Sequence, residues 1–346
     1  MRGYRTILFI LLVMLYFFAL SADKSAVATN EYPIVVLENN HLKVTVLLPD
    51  SEKGYYRSTR FDWSGIIAQV EYDGHTFFQE CKNYNGNEPG PHDPLKTGTA
   101  TGTAEEFRDP LGYRDAEVGE PFLKIGVGIL KKAVNEAYHW AYPFEFIEQG
   151  RWQTKCFDDS IVFNQEIITD FGYAYQYEKV IVLDKSSPKV AIIHRLKNTG
   201  TRKIRSNPYC HNFFRFDRHY INSAYELLFP TQVRPLEKFD DRFRFTGNAI
   251  QYVSDKSDTL WAGGHIAPEG LRSYILVNNN TKTSVEVISD VNQKPFYIGA
   301  WKWAFCPEPM IQLDIMPGES FSWKRTYHFK KSINECFGKP GGKKWM

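Results

Sequence analysis

The chain has 346 residues, with 42 Lys and Arg against 40 Asp and Glu, for a net charge of +2. Charge so nearly balanced and so scattered excludes the basic footprint of a nucleic-acid binder. The length allows one large domain or two small ones, since all-β single domains commonly reach roughly 250 residues.

Arg2 and Arg5 open the chain, and an apolar run from Ile7 to Leu20 follows. That run is short for a membrane span of roughly 20 residues. Small residues come next: Ala19, Ser21, Ala22 and then Ala26 to Ala28. The pattern predicts a secretory signal peptide over residues 1–28. The mature protein is therefore expected to be exported, periplasmic or extracellular, with no membrane attachment after cleavage.

Strand signals then recur. Tyr32 to Leu37 and His41 to Leu48 flank an Asn-rich turn. Ile66 to Tyr72 and His75 to Gln79 flank Asp73-Gly74, a two-residue hairpin signal. Residues Asn83 to Tyr113 are rich in Gly, Pro, Thr and Asn and predict a long surface excursion. Gly126 and Gly128 alternate with aliphatics and predict a bulge or close backbone approach in a strand. Further strands are predicted at Ser160–Ile168, Tyr173–Leu183, Lys189–Lys197, Ser273–Asn278, Ser284–Ser289 and Phe321–Phe329. A short helix is expected near Asn222–Leu228. One domain is expected over residues 30–332, followed by a basic, Gly-rich tail over 333–346.

Several segments carry groups able to do chemistry. Arg60 offers a planar fork for two sugar hydroxyls or a uronate carboxylate. Asp62 is placed to orient it, and Arg57 competes for the same role. Lys124 points opposite to Ile125 in a strand, toward a prospective cleft. His211 sits in Asn207-Pro208-Tyr209-Cys210-His211-Asn212-Phe213-Phe214, with Asn212 as a candidate sugar contact. Glu308 sits in Phe305-Cys306-Pro307-Glu308-Pro309-Met310, ahead of the Pro317-Gly318 turn. The flanking prolines mark a strand end or bulge. A carboxylate and an imidazole from distant strands can act together as general base and general acid.

The order and surroundings of Glu308 and His211 resemble those of aldose 1-epimerases (galactose mutarotases) and of the wider superfamily sharing their fold. The Cys306-to-Pro309 segment, the Pro-Gly turn and the closing strand follow the family order. The family usually has Asn before the histidine, where this chain has Cys210. The resemblance implies an all-β fold, a large antiparallel β-sandwich with few helices. It also implies a sugar contact for the arginine near Arg60 and a second, substrate-binding histidine at His139. The expected chemistry is anomer exchange on a mono- or oligosaccharide, with Glu308 as base and protonated His211 as acid. A uronate-type lyase, a glycoside-processing enzyme and a non-catalytic sugar-binding module remain alternatives.

No motif calls for a metal or cofactor. There is no CxxC pair, HExxH, P-loop, Rossmann fingerprint or GxSxG elbow. The five cysteines, Cys81, Cys156, Cys210, Cys306 and Cys336, leave at least one thiol free. Cys210 and Cys306 are expected as small buried hydrophobes, with a disulfide between them left open.

Overall fold

Alternating burial shapes the long strands. In Ser160–Ile168, Ala174–Leu183 and Lys189–Asn198 the inward side chains, among them Phe163, Ile181 and Ile192, are fully enclosed. Their neighbours stay partly open, as a repeat of two requires. The computed structural model describes residues 32–79, 92–98, 100–142, 144–254, 260–268 and 270–331. The signal-peptide segment 1–28, the tail 333–346, Cys81, Cys336 and part of the Asn83 to Tyr113 excursion lie outside the described residues.

The three strands belong to an antiparallel sheet of ten. Its order is Phe243–Thr246, Ala249–Tyr252, Tyr225–Leu228, Leu271–Asn278, Thr283–Gln293, Ser320–Lys330, Lys189–Asn198, Ala174–Leu183, Ser160–Ile168 and Gln153–Cys156. Smaller sheets pack on one face of it. One has four strands, Arg234–Pro235, Ala262–Ala267, Phe296–Trp301 and Ala304–Pro309. Another pairs Thr103–Phe107 with Pro208–Asn212. Residues of both layers, such as Leu276, Val287 and Tyr327 with Phe296, Ile298 and Phe305, share one apolar core. The chain is thus the large antiparallel β-sandwich expected, and among the described residues its one helical element is a 3-10 turn at Phe216–Arg218.

Turn chemistry places several strands. Asp73 and Gly74 both have positive φ, 50° and 82°, the geometry of a tight hairpin between Ile66–Tyr72 and His75–Thr76. Gly128 makes the close backbone approach expected, since a Cβ there would fall 2.3 Å from the Glu148 carbonyl oxygen, and Gly126 sits in the hairpin turn joining Pro121–Lys124 to Gly128–Lys131. Its φ is 78°, and a Cβ there would lie 2.8 Å from the Asp62 side chain. The predicted helix at Asn222–Leu228 is a turn followed by the strand Tyr225–Leu228, held between two strands of the large sheet. Its apolar run is too short to separate a helical from a strand period. The predicted surface excursion also ends early. Thr103–Phe107 is a wholly buried strand.

A buried polar network joins the layers. Asp62 Oδ1 accepts from the Ser64 amide and hydroxyl, both at 2.8 Å. Its Oδ2 accepts from the Tyr177 hydroxyl and from Lys179 Nζ, both at 3.0 Å. Tyr177 also lies 2.8 Å from His194 Nδ1. Beyond it Arg325 Nη1 donates to Glu105 Oε1 at 2.5 Å. Burial alone would raise the Glu105 pKa, but Arg325 and His194 outweigh it and hold the carboxyl well below the usual range. These side chains are all fully enclosed, so each charge depends on its partner. Asp62→Ala would strand the Lys179 ammonium in the interior. Urea unfolding of this variant should show a loss of about 3–5 kcal/mol. A loss below about 1 kcal/mol, the scale of an exposed pair, would contradict the network's role.

Candidate active site

The strand Pro208–Asn212 organises the cleft. Alternation turns Tyr209, His211 and then Phe213 to one face, and Cys210 and Asn212 to the other. On one side Tyr209 is paired with Glu106 of Thr103–Phe107. On the other, bridges from Tyr209 to Met310 and from Phe214 to Phe305 bring Ala304–Pro309 alongside. That strand is the last of its four-stranded sheet, a position that tolerates Pro307 and Pro309. Glu308 and Met310 thereby line the same cleft as His211, a cavity of about 470 Å³, within the usual range for small-molecule sites.

Glu308 Oε1 lies 3.3 Å from His211 Nε2. Both residues are almost enclosed, at 7% and 4% exposure. Phe213 stacks on the imidazole at 3.9 Å and Phe61 meets it edge-on at 5.9 Å. Burial pushes the Glu308 carboxyl up to about 8, with Arg60 opposing only in part. Burial, helped by Arg60, pushes His211 well below the ordinary imidazole range. A 3.3 Å contact between such groups has the form of an ion pair, yet both shifts favour the neutral forms. The pair therefore rests neutral, with the Glu308 carboxyl facing Nε2 of an uncharged imidazole. This reverses the protonation expected from sequence. Among the described residues no Lys or Arg pairs with Glu308, so desolvation prevails.

Arg60 stands in a second cluster. Its Nε donates to Glu106 Oε2 at 2.8 Å and its Nη2 to the Tyr209 hydroxyl at 2.9 Å. Tyr209 in turn donates to Glu106 Oε2 at 2.6 Å. The guanidinium is held between Phe61 and Trp140, 4.4 and 4.1 Å from their ring centres. Lys124 donates to Glu106 Oε1 at 3.3 Å and to the Tyr138 hydroxyl at 2.7 Å. Burial would raise the Glu106 pKa, but Lys124 and Arg60 outweigh it and hold the carboxyl at about 2.

The structure separates the other sequence candidates from the cleft. Glu106, not Asp62, orients Arg60, because Asp62 is turned toward Lys179. Arg57 donates to the Glu52 carbonyl at an exposed site. Lys124 is fully enclosed behind Glu106 and does not reach the cleft surface. Asn212 faces the interior. It donates to the Pro307 carbonyl at 2.8 Å and accepts from Tyr327 at 2.7 Å. His139 is exposed, accepts from the Ala141 amide at 3.2 Å, and lies outside the cleft, whereas its neighbour Trp140 lines it. Cys210 and Cys306 are both buried free thiols.

Sequence reasoning missed Glu106, Tyr209 and the aromatic wall. Trp261 donates from Nε1 to the Tyr297 hydroxyl at 2.9 Å and leans on Trp301, with ring centres 5.1 Å apart. Only glycine at 299 allows this, since a Cβ there would fall 1.8 Å from the Trp261 ring. Aromatic faces beside polar groups suit the apolar C–H face and hydroxyls of a sugar ring. High aromatic content was visible in the sequence, but not which rings converge. Among the described residues no group of three or more His, Cys, Asp or Glu is arranged to hold a metal ion.

No protein-family model and no curated protein sequence matches this chain. Solved structures do. A galactose mutarotase-like protein from Lactobacillus casei matches with a TM-score of 0.51 at 11% identity, covering 86% of this chain and 100% of that one. A galactose mutarotase related enzyme from Lactobacillus acidophilus gives 0.50 at 14% identity, over 87% and 99%. An aldose epimerase homologue from C. elegans gives 0.51 at 11%, over 87% and 99%. Their near-complete coverage, together with the layers and strand order above, shows that this chain has the galactose mutarotase-like fold.

Proposed function

We propose that this protein is a carbohydrate-active enzyme that exchanges sugar anomers, with Glu308 and His211 as its proton-transfer pair. The observation that carries this reading is the 3.3 Å contact between two enclosed titratable groups at the floor of an aromatic-walled cleft. The fold shared with galactose mutarotase-like proteins supports a sugar as substrate.

A direct contact leaves no space for a pyranose between the two groups, and the chemistry needs none. The anomeric hydroxyl and the ring oxygen share one carbon, so neighbouring acid and base can serve both. His211 Nε2 accepts the proton of the anomeric hydroxyl. Glu308 gives its proton to the ring oxygen. The bond from the anomeric carbon to the ring oxygen breaks as the carbonyl forms. Rotation about C1–C2 presents the other carbonyl face. On closure the ring oxygen attacks, Glu308 recovers its proton, and His211 returns its own. Protons balance, and the pair is restored. Glycoside hydrolysis needs two available carboxylates. The other cleft carboxylate among the described residues, Glu106, has both oxygens engaged.

Glu308→Gln should slow anomer exchange about a thousandfold, followed by magnetisation-transfer NMR on free hexoses, while sugar binding persists. Turnover near the wild-type rate would refute the assignment. Equally, binding without exchange in the wild-type chain would identify a non-catalytic sugar module. Activity should fall as pH rises through about 8, where Glu308 loses its proton. A basic limb absent up to pH 10 would contradict the assignment of the acid.

The same shift has a stability consequence. Between the ordinary value of 4.5 and about 8 the folded state keeps a proton that the unfolded state has lost. Stability therefore falls as pH rises through that window. Glu308→Gln should be more stable than wild type by a growing margin, on the order of a few kcal/mol by pH 8. Equal thermal midpoints of the two proteins at pH 5 and pH 8 would count against a neutral, desolvated carboxyl.

A further inference from the structure

We infer that the sugar handled by this cleft carries an anionic substituent, a carboxylate or a phosphate, read by Arg108 together with Arg60. This rests on the sugar-active reading above and names its substrate class.

Alternation along Thr103–Phe107 puts Glu106, and then Arg108 just beyond the strand, on the cleft face. Arg108 is exposed at the rim. The polar contact of its guanidinium is a 3.7 Å approach of Nη1 to the Met310 thioether. No carboxylate among the described residues pairs with it. Nearby Asp109 is turned away and accepts from Asn207 at 2.7 Å. Glu237 is held by the cleft residue His265 at 3.0 Å. Arg60 also has unused capacity. Two of its nitrogens are engaged by Glu106 and Tyr209, and Nη1 has no protein partner among the described residues.

The balance of charge agrees. Arg60 and Arg108 line this end of the cleft against Glu106, whose oxygens are already used by Arg60, Tyr209 and the enclosed Lys124. Glu308 adds no compensating charge while it keeps its proton, and burial favours that form. A neutral hexose would leave this excess of positive charge unanswered. A substituent with two or three oxygens would match a guanidinium fork, and a cleft of one sign concentrates ligands of the other.

The test is calorimetric titration of the full chain with glucose and galactose, their uronates and their 6-phosphates. It is run on wild type and Arg108→Gln, at low and at high salt. At low salt at least one anionic sugar should bind about tenfold tighter than its neutral parent. The gap should shrink in high salt and in Arg108→Gln. A uronate preference or a phosphate preference identifies the anion. Equal binding of neutral and anionic sugars overturns this inference and leaves the sugar reading standing. A gap undiminished in Arg108→Gln also overturns it, and binding of none of the six sugars overturns both.

Discussion

Removing one carboxyl from water without giving it a cation of its own is the constraint on which the cleft depends. Glu308 lies among strand backbones and aromatic rings, and the group its carboxyl meets at 3.3 Å is an imidazole that is equally enclosed. An ionised carboxylate there would need compensation that Arg60, engaged elsewhere, supplies only in part. Burial favours the neutral form of each group, a carboxyl beside an uncharged imidazole. Such a pair can accept from one oxygen and donate to another with little change in net charge. That is the requirement of a reaction whose two oxygens sit on one carbon. Pairs of titratable groups whose pKa values are driven apart are a recurring mark of acid–base sites.

The strand Thr103–Phe107 connects this chemistry to the stability of the sandwich. It carries consecutive glutamates, and alternation sends them opposite ways. Glu105 enters the inter-layer network with Arg325 and His194. Glu106 enters the cleft and fixes Arg60 and Tyr209. The interior ion pairs are weak evidence for stability as such, but they hold the strand in one register. A slip by one residue would exchange the two glutamates and dismantle the cleft and the network together. Gly126 has a comparable place. Its missing side chain lets Asp62 sit against the hairpin and stay within reach of Lys179.

Much of the architecture was legible from alternation and turn residues. Ser160–Ile168 falls where its pattern puts it, and Asp73-Gly74 makes the predicted hairpin. Thr103–Phe107 was not legible, because two glutamates in five residues read as a solvated segment. Their burial depends on Arg60, Lys124 and Arg325, which are remote in sequence. Glu308 and His211 stood out because their order and surroundings resemble those of aldose 1-epimerases. Their protonation could not be read, since it depends on how completely the folded cleft excludes water. Asn212 shows a sharper lesson. It neighbours His211, and a repeat of two already places adjacent strand residues on opposite faces.

The protonation of the pair is accessible directly. Carbon-13 and nitrogen-15 NMR of Glu308 and His211 at pH 7, assigned with Glu308→Gln, would report both groups at once. A carboxyl carbon at its protonated position, titrating near pH 8, beside an Nε2 without a proton, is the predicted result. An ionised Glu308 facing an imidazolium at pH 7 would contradict it.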